Sequence, residues 1–150
     1  DEEQLILRNQ VSSGERPKVQ PVVTPAEIVT ARKLVREVYM DEKIERYIVT
    51  LVQATRKPEN HGMGHLGPLI GFGASPRATI GLAMAGKARA FMAHRGYVIP
   101  EDIRAVAMDV LRHRIIPTFE AEAQGFTSED IIRDIVQAYK ITGLLPSSRF

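Results

Sequence analysis

The chain contains no cysteine, which excludes disulfides and thiol catalysis and suits a reducing compartment. No apolar run approaches the ~20 residues that a membrane-spanning helix needs. Asp1-Glu2-Glu3 is the wrong start for a signal peptide. No membrane insertion and a cytoplasmic location are therefore expected. Charge of either sign is barely in excess: twenty Lys and Arg oppose eighteen Asp and Glu, for a net +2. Despite a pI of about 9.1, that balance is no electrostatic footprint for nucleic acid. No G-x-x-x-x-G-K-[ST] loop exists to cradle phosphates, and no apolar strand ends in paired acids to hold magnesium. Gly86-Lys87-Ala88 comes nearest, but it lacks the metal-binding hydroxyl and lies inside a helical pattern. The chain cannot assemble a phosphoryl-transfer site alone. Nothing resembles a Ser-His-Asp arrangement in a nucleophile-elbow context, and no period of about 20 to 50 residues marks a solenoid.

What remains is 150 residues, 44% apolar and 25% charged, enough for one globular domain with a real core. The first residue is not methionine, and the chain is expected to be a piece cut from something longer. Leu5, Ile6 and Leu7 suggest the end of a helix from a preceding domain. Residues 12–23, with Pro17 and Pro21, form an extended linker.

Beyond the linker the text is helical. Thr24-Pro25-Ala26-Glu27 is a capping box with proline at the first helical position. It opens a helix to about Met40 with Ile28, Ala31, Leu34, Val35 and Val38 on one face. Asp41 caps a second helix, whose stripe is Ile44, Tyr47, Ile48, Leu51 and Val52. Residues 57–74 read as a glycine-rich loop. A third helix, from Ser75 to about Arg95, is rich in small residues; Gly81 and Gly86 within it imply a close approach by another backbone. Gly96 stops it. Residues 97–99 are extended and are expected to pair with 114–116. A fourth helix starts at Pro100-Glu101-Asp102 and turns Ile103, Val106, Ala107, Val110 and Leu111 inward. A fifth, 128–140, is capped by Thr127 with Asp130 three residues on, and its stripe is Ile131, Ile132, Ile135, Val136 and Tyr139. The fold class is all-α, a small bundle of about five helices with a short two-stranded patch.

The stretch most suggestive of chemistry is Gly73-Ala74-Ser75-Pro76-Arg77-Ala78. Ser75 can cap the helix and Pro76 suits its first position. Arg77 then lies at the positive end of a helix dipole, beside free N–H groups that favour an anion such as phosphate. An arginine there is unfavourable for folding, so a phosphate-reading role is weighed against an ordinary surface arginine. Arg112, His113 and Arg114 are most simply complements to a helix C-terminus. His61 and His65 lie in a loop with Glu59 as the one nearby acid, and no metal site is expected. His94 reads as a surface or cap residue, and the pairs Glu101-Asp102 and Glu129-Asp130 as first-turn acids.

Four motifs together resemble the C-terminal lid of MoxR-type AAA+ ATPases. They are Ala54-Thr55-Arg56, the stretch 73–78, Tyr97-Val98-Ile99-Pro100-Glu101-Asp102-Ile103, and Val110-Leu111-Arg112-His113-Arg114-Ile115. They occur in the family's order, between about Thr24 and Tyr139. The resemblance implies that residues 1–23 end an absent ATPase core and linker, that 24–143 are the lid, and that 144–150 are a tail. It implies that Arg77 is the sensor-2 residue, with Ser75, Pro76 and Ala78 beside it at the nucleotide, reaching the γ-phosphate of ATP bound with Mg2+ on the core. It also implies a hexameric or similar ring, chaperone-like remodelling or metal insertion, and partners carrying von Willebrand A-type domains. Two other readings compete. One is a self-contained helical protein-interaction module that docks through the small-residue helix. The other is DNA binding through Arg104, Arg112 and Arg114, which the near-neutral charge disfavours.

Overall fold

The computed structural model describes residues 2–11 and 20–141; the expected tail at 144–150 and most of the linker lie outside them. The chain divides into two units, residues 1–31 and 32–150. Helix α1, Glu2–Val11, leaves Leu5, Ile6 and Leu7 exposed. Helix α2, Pro25–Glu37, begins with the expected box: the Thr24 N–H donates to Glu27 Oε2 at 2.6 Å and the Glu27 N–H to Thr24 Oγ1 at 3.3 Å. Its predicted stripe is covered only in part: Ala31 and Val35 are half-buried, and Val38, just beyond the helix end, is buried. No residue of α2 is buried, and Ile28 and Leu34 are exposed. A 3.6-residue period states that a face can be covered, not that this chain covers it.

The second unit is an all-α bundle with one small ribbon. Asp41 caps α3, Glu42–Ala54, by accepting from the Lys43 N–H at 2.8 Å, and the predicted stripe from Ile44 to Val52 is buried. Helices α4 (Arg77–Met92), α5 (Pro100–Leu111) and α7 (Ser128–Ile141) complete a core that includes Leu51, Leu82, Ile103, Leu111, Ile131 and Ile135. The reciprocal bonds between Thr127 and Asp130 form as expected.

The glycines of α4 face α5. A Cβ on Gly86 would lie 2.4 Å from Ile103 Cδ1, and one on Gly81 would lie 3.1 Å from Val110 Cγ1. The close neighbours are thus branched side chains of α5, not a second backbone. Helix α4 also ends earlier than expected. His94, not Gly96, adopts the left-handed conformation (φ 55°), and the Arg95 N–H bonds to Ala90 O at 2.9 Å, which closes a Schellman turn.

The loop expected at 57–74 is structured. It holds two 3-10 helices, Pro58–His61 and Gly64–Leu69, and strand β1, Ile70–Phe72. The strand pairs antiparallel with β2, Ile116–Pro117. The predicted partner of residues 114–116 was the 97–99 segment, but that backbone is engaged elsewhere. The Tyr39 N–H donates to Gly96 O at 2.9 Å and the Val98 N–H to Tyr39 O at 3.0 Å. After β2 comes a short helix not foreseen in the sequence, α6 (Phe119–Ala123), capped by Thr118.

Candidate functional site

The site is assembled where the end of α3 meets the start of α4. Thr55 follows α3 and is fully buried; its hydroxyl donates to Val52 O at 2.7 Å and accepts from the Ala74 N–H at 2.9 Å. Gly73 lies so close that a Cβ there would be 2.2 Å from Thr55 O and 2.8 Å from Arg56 Cγ. Only glycine fits, for steric reasons. Two of the four sequence motifs, 54–56 and 73–78, are therefore one structural unit. Sequence reasoning missed the roles of Thr55 and Gly73. The motif spacing carried the signal, but the contact is a tertiary one.

Ala74 and Ala78 are both completely buried, and Ser75, Pro76 and Arg77 are exposed between them. Arg77 is the first residue of α4. Among the described residues its guanidinium has neither a hydrogen-bond acceptor nor an acidic partner. Ser75 does not cap with its side chain as expected. Pro76 takes helical dihedrals (φ −55°, ψ −21°). The Ala78 N–H then bonds to Ser75 O at 2.9 Å and the Thr79 N–H to Pro76 O at 3.1 Å. This tight first turn uses the Ala78 amide, one of the two that a Ser75 hydroxyl could have met. Fewer free N–H groups remain than the sequence suggested, and the exposed guanidinium of Arg77 is the charged group at this helix start. At the end of α3, Arg56, Lys57, Gln53, Asn60 and His61 line a concavity of about 340 Å³. Arg56 and Lys57 also have no side-chain partner among the described residues.

The other motifs build the scaffold. Asp102, expected to be a simple first-turn acid, is buried at 2% exposure. It accepts from Arg95 Nη1 at 2.8 Å, from Arg95 Nη2 at 2.5 Å and from the Ile99 N–H at 3.0 Å. Burial alone would raise its pKa. The bonds from Arg95 and Ile99, with the charges of Arg95 and Arg89, outweigh that and hold it below the ordinary aspartate value. Arg112 and Arg114 donate through Nε to the carbonyls of Met108 and Val110, at 3.4 and 2.8 Å. They are C-terminal complements of α5, as the physics favoured. Arg112 also pairs with Asp109 and Glu129, and Arg104 with Glu101. Those cations are neutralised within the chain, which weakens the DNA reading. His61 is tied to structure through Nδ1, 2.7 Å from the Tyr139 hydroxyl, and burial lowers its pKa. His65 and His94 are exposed.

Comparison with known proteins agrees with this geometry. The AAA lid domain family matches residues 67–135, which include the start of α4 and the Arg95–Asp102 pair. The Chaperone MoxR1 of Mycobacterium tuberculosis is 33% identical over 137 residues, 91% of this chain and 36% of that protein. The Bacillus subtilis protein YeaC is 35% identical over 94% of this chain and 41% of its own length. In structure, a putative ATPase from Cytophaga hutchinsonii superposes with a TM-score of 0.84 at 40% identity, over 92% of this chain and 42% of that one. The chain thus spans well under half the length of each of these relatives. With the lid family matched, the bundle shared and relatives named MoxR, the chain belongs to the MoxR-type AAA+ ATPases, as their lid domain.

Proposed function

We propose that this lid supplies Arg77 to ATP bound with Mg2+ on the core of an intact ATPase. There the guanidinium, acting as sensor 2, stabilises charge on the transferring γ-phosphoryl group. The observation that carries this is an exposed arginine, unpartnered among the described residues and held at its base between the buried Ala74 and Ala78. A positive charge fixed where negative charge develops is the main device of phosphoryl transfer, because it needs no reorganisation at the moment of reaction. Ser75, Pro76 and Ala78 shape its approach. Mg2+ would be held with the nucleotide by the core.

In this reading residues 1–23 are the end of the core and its linker, and 24–143 move as the lid. Rotation of the lid reports nucleotide state to neighbouring subunits of a cytoplasmic ring. The ring drives chaperone-like remodelling or metal insertion with a partner carrying a von Willebrand A-type domain. The name of the Mycobacterium tuberculosis relative supports a chaperone role. The alternative, a free-standing interaction module that docks through α4, is disfavoured because Gly81 and Gly86 are already covered by α5.

Arg77→Ala in the intact ATPase tests the proposal. Hydrolysis should fall about 10²-fold or more, as when one oriented charge donor is removed, while the melting temperature of the 150-residue chain stays unchanged. Normal turnover would refute it.

A further inference from the structure

Three threonines of this chain follow the same local habit, with one difference. Thr30 and Thr50 are exposed and donate to the carbonyls of Ala26 and Arg46, four residues back, at 3.0 and 2.8 Å. Thr55 is wholly buried and donates to Val52 O, so its only proton is committed within α3 and its lone pairs are turned outward. One of them receives the Ala74 N–H, nineteen residues further along the chain. Gly73 is pressed against the Thr55 carbonyl at the same point. Arg77 lies three residues beyond this clamp and one residue before the second anchor, Ala78.

We infer that Thr55 is a positioning residue for Arg77. Its hydroxyl fixes the backbone at Ala74, and so sets where the base of the arginine stands relative to the transferring phosphate. The inference rests on the role proposed above for Arg77. The Ala78 anchor and the Asp102 box do not involve Thr55, so losing the hydroxyl should displace the 74–77 segment while α4 stays folded. A small displacement matters greatly at a reacting centre; about 1 Å can cost about 10²-fold in rate.

The experiment compares Thr55→Val, Thr55→Ser and Arg77→Ala in the intact ATPase, assayed well below the melting temperature of each variant. Valine keeps the shape of threonine but neither hydrogen bond; serine keeps both bonds. Thr55→Val should lower kcat on the order of 10-fold, with KM for ATP nearly unchanged, and Thr55→Ser should restore kcat. In the 150-residue chain, exchange of the Ala74 amide should quicken in Thr55→Val and not in Thr55→Ser. Should Thr55→Val fail to fold, Thr55→Cys, with its weak thiol donor, should give a kcat between those of Arg77→Ala and the parent. The inference is overturned by a folded Thr55→Val or Thr55→Cys of parental kcat, or by a Thr55→Ser as slow as Thr55→Val. Those results leave the role of Arg77 standing if Arg77→Ala is inactive. An active Arg77→Ala removes that role and this inference with it.

Discussion

Replacing Asp102 by alanine removes three hydrogen bonds at once from a carboxylate that is 2% exposed, two from Arg95 and one from the Ile99 N–H, together with a longer ion pair to Arg89 at 3.8 Å. The Ile99 bond is the helix-capping part of α5, and losing such a contact costs about 1 kcal/mol. The paired bonds to Arg95 are charge-assisted, a class worth about 1.5 to 3 kcal/mol. Arg95 keeps 24% of its side chain exposed and still donates to Tyr97 O. It can therefore rehydrate in part, so the larger penalty of stranding a fully buried charge does not apply. The sum is about 3 kcal/mol, or a fall in melting temperature of roughly 10 °C for a domain of this size. Urea unfolding of the parent, Asp102→Ala, Arg95→Met and the double variant measures both the total and the coupling. A loss below about 1 kcal/mol, or additive single effects, would show that this pair is not the clamp between the end of α4 and the start of α5. Asp102→Asn separates the two parts. An amide oxygen can still accept from Ile99, so that variant should lose mainly the Arg95 share.

Two further outcomes follow from local geometry. His94 holds a left-handed conformation at an exposed helix end, which costs a non-glycine residue about 1 to 2 kcal/mol. His94→Gly should therefore stabilise the chain by about 1 kcal/mol after the entropy of the freer unfolded glycine is deducted; thermal unfolding reads it, and destabilisation would contradict it. Asp130 has its carboxyl lowered from 3.8 to about 2 by hydrogen bonds from Thr127 and from Arg133. A depressed acid stabilises above its unfolded pKa and ceases to as pH falls through its folded one. Melting temperature should thus drop between about pH 4 and pH 2, and Asp130→Asn should flatten part of that slope. An unchanged acid limb in the variant would remove Asp130 from the account.

The sequence by itself determined the longer helices and much of their capping, but not α6 or the two 3-10 helices. The stripes from Ile44 to Val52 and from Ile131 to Tyr139, the Thr24–Glu27 box and the Thr127–Asp130 box all formed as written. Those features depend on neighbours within about four residues, where side-chain spacing and backbone geometry are coupled directly. The four motifs also sufficed to identify the lid. Tertiary structure alone decided which strand met which, because Tyr39 took the backbone at 96–98 and left β2 to pair with β1. It decided that Asp102 is buried against Arg95, and that Ile28 and Leu34 of α2 stay exposed. It also joined Thr55 to Ala74 across nineteen residues, so that Arg77 stands exposed at the rim of the bundle. Each of these rests on competition among distant partners for the same hydrogen bonds and the same buried space, and no local pattern encodes the outcome of that competition.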